Sequence, residues 1–510
     1  MVSTAQEGTH GPTGAVGGGV AASIAAITSV ILLPLIWAES FDSLIGVGVV
    51  LMAILVFAAA FLTAAYAYPE PIRRAPDVQA EAEPRSLPLG SFERIFAVSV
   101  LFYSTGAFWR VLQGSRDMES GTWTGALLTN ALWILVYLTA FWLLRCTCVV
   151  PWHLWKSGIV LLLPVPVAVA SLLWSQDRGL TFLRCGALIG TTVVALYFAL
   201  RFTTREILHF ASFALGLAAI SSVIAAVYFP GFGVGTGEFQ GIWIGAFAQK
   251  NELGEMMTVG FLVNMVLFWQ ERSHRLLRLG LVAISLFLML KANSMTSFTV
   301  CCILPYLFWA SKKILTKKGD AIVRILQFGL PVLILAAGVT LEFERILEVM
   351  GRSADLTGRT VLWATVAPAI LDKLYLGYGY EAFWRGYQGV AGEIWAQMGD
   401  LYSYSHNGFL EVLLGLGLVG LVSMLTALVF YSRSAFQALQ RQGNDAIAAF
   451  WPWAFLMYLL LSNLLAGNLM KSNNLPWLLY MITALGLCFK KVQGLNKQNI
   501  TGFPVPVGVG

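Results

Sequence analysis

Long apolar blocks dominate this sequence, and they leave few folds open to it. Stretches such as 206–229, 407–431 and 446–466 run on with almost no charge. A helix crossing the hydrocarbon layer of a bilayer needs about 20 such residues. The blocks are continuous rather than alternating, which speaks against a spanning barrel. In lipid every backbone polar group must be satisfied within the segment, and a helix does that. Composition agrees: of the 510 residues, 57% are hydrophobic and 12% charged. A soluble domain carries about 25% charge. The expected fold class is therefore all-α, a polytopic transmembrane helical bundle.

Spans are expected at about 20–37, 43–68, 92–110, 123–144, 154–174, 180–200, 206–229, 251–269, 276–290, 297–311, 325–341, 407–431, 446–466 and 475–489. That is roughly 12–14 crossings at the length a bilayer demands. Residues 1–19 are rich in Gly, Thr and Ala without Lys or Arg, and read as a disordered tail that lacks the basic start of a signal peptide. The expected organisation is that tail, a transmembrane bundle over 20–341, a large loop with helices over 342–406, transmembrane helices over 407–489 and a tail over 490–510.

Orientation follows from counting Lys and Arg. With the N-terminus cytoplasmic, 21 of the 33 basic residues fall inside, among them Arg73, Arg74, Arg145, Lys312, Lys313, Lys317, Lys318 and Lys490. Outside are 12, five of them in the long loop. Basic residues concentrate in cytoplasmic loops, so both termini are expected in the cytoplasm and the long loop on the outer face. The net charge of +6 is explained by this topology and needs no nucleic acid. The six cysteines form no C-x-x-C pair and suggest neither zinc nor a disulfide framework.

The long loop exceeds the usual length of a connection, which marks it as functional or disordered. Trp363, Phe383, Trp384 and Trp395 argue for packed structure. Thr357 is expected to cap a helix opened by Gly358-Arg359-Thr360 and running to about Leu371. Val361, Ala364, Ala367 and Leu371 recur at helical spacing, and Gly377-Tyr378-Gly379-Tyr380 reads as the turn after it.

Ionisable residues within a bilayer are costly and normally mark function. Here they gather at outward helix ends: Lys250, Glu252 and Glu255, then Lys291, then His406 and Glu411, with Asp177, Arg178 and Arg184 on a short loop. Work at the membrane surface is expected rather than a path through its middle. Imidazole titrates near neutrality, so His406 is a candidate proton acceptor. The plainer alternative is a headgroup-level histidine with Ser405 capping the next helix. Arg359 offers a planar fork suited to phosphate at a helix start. Its alternative is a solvated arginine paired with Asp355. Lys250 suits phosphate as a point charge, or snorkels at the interface.

Four segments then resemble, in order, the O-antigen ligase and polymerase superfamily of bacterial inner membranes. They are Ser171-Leu172-Leu173-Trp174-Ser175-Gln176-Asp177 with Arg184; Phe247-Ala248-Gln249-Lys250-Asn251-Glu252-Leu253-Gly254; Leu356-Thr357-Gly358-Arg359-Thr360-Val361-Leu362-Trp363 with Gly377 to Trp384; and Ser405-His406-Asn407-Gly408-Phe409-Leu410 with Gly415-Leu416-Gly417. The third looks closest to the exopolysaccharide-production, ExoQ-like branch. The resemblance implies a membrane-embedded glycosyltransferase, GT-C-like in class. Such an enzyme takes a glycan from a polyprenyl diphosphate at the outer leaflet of the bacterial inner membrane. The acceptor is a second lipid-linked glycan for a polymerase, or lipid A core or protein for a ligase. It works among membrane lipids, with a flippase and a chain-length regulator as further partners.

By position, the resemblance makes His406 and Arg359 catalytic. Arg359, Lys250, Arg184 and Lys291 would contact diphosphate, with Asn407, Asn251 and Trp363 supporting. It implies no cofactor and no metal, and the outer side offers no Asp-x-Asp, only Glu342-Phe343-Glu344. One departure stands out. Where the family often has Ser-Arg-Thr or Ser-Lys-Thr, this chain reads Ser294-Met295-Thr296. Lys291, four residues earlier, could supply the charge from one helical turn away. A flippase or transporter, the reading from another class, would show internal repeats and mid-helix charges; neither is evident.

Overall fold

The computed structural model describes residues 90–113, 126–147, 158–316, 355–385, 387, 389–399, 401–440 and 446–501. The chain divides into two compact units, Met1–Glu81 with Leu89–Phe96, and Ala82–Pro88 with Ala97–Gly510. Apart from Ser91–Phe96, all that follows belongs to the second unit. The expected tail 1–19, the spans at 20–37, 43–68 and 325–341, and the first part of the long loop lie outside the described residues.

The described chain is helical: α1 (Ser91–Ser104), α2 (Trp109–Gln113), α3 (Ala126–Thr147), α4 (Pro164–Ala170), α5 (Arg178–Arg201), α6 (Thr204–Tyr228), α7 (Pro230–Gly233), α8 (Lys250–Gln270), α9 (Arg275–Lys291), α10 (Met295–Thr316), α11 (Asp355–Asp372), α12 (Val390–Met398), α13 (Gly408–Gln440), α14 (Ala446–Asn463) and α15 (Leu475–Thr501). Among these residues strand pairing is limited to one isolated bridge between Val234 and Trp243. Five helices are long and apolar enough to cross a membrane: Leu127–Thr147, Arg178–Arg201, Thr204–Tyr228, Lys250–Gln270 and Gly408–Leu439. This is a polytopic helical membrane protein.

Local chemistry sets the helix starts. Asp177 accepts from Leu180 N at 2.9 Å and opens α5. Thr203 and Glu206 form a reciprocal capping box at α6, with bonds of 3.2 and 2.8 Å. Between lipid-soluble helices, association depends on close packing rather than on escape from water. Helix α8 is the buried centre, packed against α6, α9, α10 and α14. Gly254 on α8 makes one such approach: a Cβ there would lie 2.5 Å from the Ser294 Cβ. That closeness brings the Ser294–Ser297 turn against the first turns of α8. Around this centre α5 packs on α3 and α15, and α13 on α14.

The last apolar stretch runs Leu475–Phe489, as expected, and α15 continues beyond it to Thr501. The apolar block at 407–431, however, is not one straight helix. Gly417 breaks α13 with φ 61° and ψ −159°. The backbone groups freed by the break are taken up by the segment after α11. Tyr378 N donates to Leu414 O at 2.8 Å, Gly379 N to Gly415 O at 2.9 Å, and Leu418 N to Leu374 O at 2.8 Å. A broken helix within a membrane protein is tolerated where neighbouring protein satisfies it in this way. The break therefore joins the long loop to α13.

A side chain at 417 has no room. A Cβ there would sit 2.3 Å from the Tyr375 carbonyl carbon, in a backbone region closed to L residues. Gly417→Ala is expected to destabilise the protein by about 2–4 kcal/mol. Thermal unfolding of the purified variant checks it, and an unshifted midpoint contradicts it.

Candidate active site

Helix α11 presents Arg359 one turn after its start. The helix begins at Asp355, so Thr357 lies within the first turn instead of capping it. The guanidinium, not the helix-end amides, is what Arg359 brings. Its Nη1 donates to Thr296 Oγ1 of α10 at 3.3 Å, and the residue is half-buried. One turn further on, the Trp363 indole N–H donates to Ser405 O at 2.7 Å. That bond ties α11 to the chain immediately before His406. Under α11, Leu362, Val366, Tyr378, Phe383, Ile394 and Leu414 form a buried apolar cluster. The described part of the long loop thus rests on α13.

His406 sits in the left-handed region, at φ 56°. A non-glycine residue there is uncommon and persists only when its surroundings over-determine it. Here they do. Ser405 N donates to the Glu411 carboxylate, which also accepts from Trp384 Nε1 at 3.1 Å. Ser405 Oγ donates to Asn407 O at 3.1 Å. The cap of α13 is Asn407, not Ser405: its Oδ1 accepts from Phe409 N at 2.9 Å and Leu410 N at 3.2 Å. An Asx side chain reaches N2 and N3 amides more readily than a serine two residues back. The His406 ring lies 4.2 Å from the Tyr404 ring and 6.2 Å from the Tyr402 ring, centroid to centroid.

Arg359 and His406 line one pocket. Asn251, Glu252 and Glu255 enter it from α8, Ser294, Thr296 and Ser297 from the start of α10, Tyr404 from the loop, and Asn468 and Lys471 from the connection between α14 and α15. Glu255 accepts from the Asn468 side chain, and Glu252 Oε2 from Ala248 N at 3.3 Å. Tyr404 lies between these groups. Burial, then the charges of Glu255 and Glu252, push its phenol well above the usual tyrosine range, against the pull of Arg359. It stays protonated near neutrality and serves as a hydrogen-bond donor rather than a base.

The other basic residues marked by sequence go elsewhere. Lys250 Nζ lies 4.7 Å above the Phe239 ring. Lys291 Nζ lies 5.4 Å from the Trp243 ring and 5.8 Å from that of Phe287. Arg184 pairs with Glu381 at 3.3 Å and is exposed. None of the three lines the pocket. Successive residues on a helix point about 100° apart, so Asn251 can face the pocket while Lys250 faces Phe239. Sequence inspection passed over Lys471. Its only signal is a lone cation in a short outward connection, which also describes an ordinary interface lysine.

The arrangement brings together two cations, one imidazole, two phenols and two carboxylates. Among the described residues no group of three or more His, Cys, Asp or Glu could hold a metal ion. Cations can hold an anionic leaving group, and an imidazole or carboxylate can take a proton from a hydroxyl. Removing the Trp363 bond should loosen the geometry. Trp363→Phe is expected to lower turnover about tenfold, with substrate affinity changed less, as a misplacement near 1 Å does. Steady-state kinetics at saturating substrate check this, and equal losses in affinity alone would contradict it.

Residues 256–425 match the family model described as O-antigen ligase. The chain is also 27% identical over 202 residues to the exopolysaccharide production protein ExoQ of Rhizobium meliloti (strain 1021). That match covers 37% of this chain and 45% of the relative, so the chain spans less than half of that protein's length.

Proposed function

We propose, from the match of residues 256–425 to the O-antigen ligase family model, that this protein moves a glycan from a polyprenyl diphosphate carrier to an acceptor hydroxyl at the outer face of the inner membrane. The acceptor is a second lipid-linked glycan, so the product is a growing exopolysaccharide. The observation that carries the reading is the meeting of Arg359 and His406, far apart in sequence, in one pocket. Similarity to a protein named for exopolysaccharide production favours polymerisation over ligation. The Lys and Arg distribution supports an outer-side position for the pocket.

The chemistry is a single displacement. A bond forms between the acceptor oxygen and the anomeric carbon, and the bond from that carbon to the phosphate oxygen breaks. The electron pair leaves with the polyprenyl diphosphate. The acceptor's proton goes to the His406 imidazole. Arg359 stabilises the charge growing on the diphosphate, as a bidentate fork does for phosphate oxygens. A diphosphate held by cations leaves without a divalent ion, so the reaction is metal-independent.

Purified protein in nanodiscs, given a polyprenyl-diphosphate-linked glycan and EDTA, tests this. Release of polyprenyl diphosphate with longer lipid-linked glycan is the expected result. Transfer only to lipid A core would make the protein a ligase. Loss of all turnover in EDTA would refute metal independence, and no turnover with or without metal would refute the assignment.

A further inference from the structure

Arg359 alone is a thin counter-charge for a diphosphate, which carries at least two negative charges at neutral pH. Resting on the transfer reading above, we infer that Lys471 is the second diphosphate-binding cation, held ready at the pocket mouth by Glu252 and Glu255. Lys471 lies on the connection between α14 and α15, outside the segment 256–425 that carries the family match. It lines the same pocket as Arg359, yet comes from a separate connection further along the chain. The residue is exposed, its Nζ 5.6 Å from the Tyr404 ring. Its charge bears on both Glu252 and Glu255. Lys250, Lys291 and Arg184 sit outside this pocket, over aromatic rings or on Glu381.

The connection is built to hold this position. Asn463, fully buried, accepts at Oδ1 from Asn468 N and Leu469 N, each at 2.9 Å. The Asn468 side chain donates to Glu255. Lys471 N then bonds to Asn468 O at 3.3 Å. Just before it, the Tyr380 hydroxyl donates to Met470 O, and beyond it Asn473 N donates to Thr191 Oγ1 at 3.1 Å. Residues on both sides of Lys471 are thus anchored, while its long side chain remains free to swing. A lysine ammonium is a mobile point charge, suited to following a leaving group as charge develops on it. Glu252 and Glu255 line the same pocket as Lys471, and an arriving diphosphate would compete with them for it.

The test is binding of polyprenyl diphosphate to the full-length protein in nanodiscs, with inorganic pyrophosphate and phosphatidylglycerol as competitors. Lys471→Met is expected to weaken polyprenyl diphosphate binding roughly ten- to a hundredfold, the worth of one charged hydrogen bond, and Lys471→Arg to restore most of it. Glu255→Gln, which frees the lysine, is expected to tighten binding. Pyrophosphate should compete, and phosphatidylglycerol should not. Unchanged binding in Lys471→Met, with Arg359→Ala weakened, would overturn the role of Lys471 and leave the transfer reading intact. Unchanged binding in both would overturn both. If Lys471→Met cannot be purified, weaker or unchanged binding in Glu255→Gln overturns the proposal. Competition by phosphatidylglycerol alone would make this a headgroup site and overturn it as well.

Discussion

His406→Ala should lower glycan transfer by about 10²- to 10⁴-fold, the usual worth of a positioned general base. Protein level and donor binding should hardly move. The ring is presented by a strained backbone at φ 56° that Glu411, itself bonded by Trp384, holds at Ser405 N and Trp363 holds at Ser405 O. None of those contacts needs the imidazole itself, so its removal leaves the frame standing. Polymer yield in the native host and transfer rate on purified protein measure the effect. Full activity at normal protein level would remove His406 from the mechanism.

Arg359→Ala should fail differently. One donor aimed at developing charge is worth about 10²–10³ in turnover, and the same group holds the ground-state diphosphate. Donor affinity and transfer rate should therefore fall together. Arg359→Lys should recover only part of either, because a lysine keeps the charge and loses the fork. Thr296, which accepts from the guanidinium at 3.3 Å, would be left facing the cavity. Titration of donor binding alongside single-turnover rates separates this variant from His406→Ala. Donor affinity equal to wild type in Arg359→Ala would contradict the assigned contact.

Much of the helical frame was legible in the sequence, because the signal for a spanning helix is length and continuity. The blocks at 180–200, 206–229 and 251–269 coincide with α5, α6 and α8. What continuity hides is a break inside an apolar run. Gly417 looks like any small residue of a membrane helix, and only the bonds from residues 374–379 show that the chain turns there. At the site, the sequence could tell which charges lie at helix ends but not which way each one faces. Arg359 and His406 fall in one pocket; Lys250, Lys291 and Arg184, equally basic and equally near a helix end, turn to aromatic rings or to Glu381. Direction depends on packing between helices, and a single helix does not encode it. Lys471 escaped notice for the complementary reason. Nothing around it in sequence looks chemical, and its partners Glu252, Glu255 and Tyr404 are distant along the chain.

Photolabelling tests the convergence most directly. A polyprenyl diphosphate donor analogue with a photoreactive group beside the phosphates would be bound to the protein in nanodiscs and irradiated, and the labelled peptides mapped by mass spectrometry. The expected result is label on the peptides holding Arg359 and His406 together, lost on competition with unmodified donor. Label confined to the far end of α8, where Glu271 meets His209 at 3.0 Å and His209 meets Arg278 at 2.7 Å, would contradict the account.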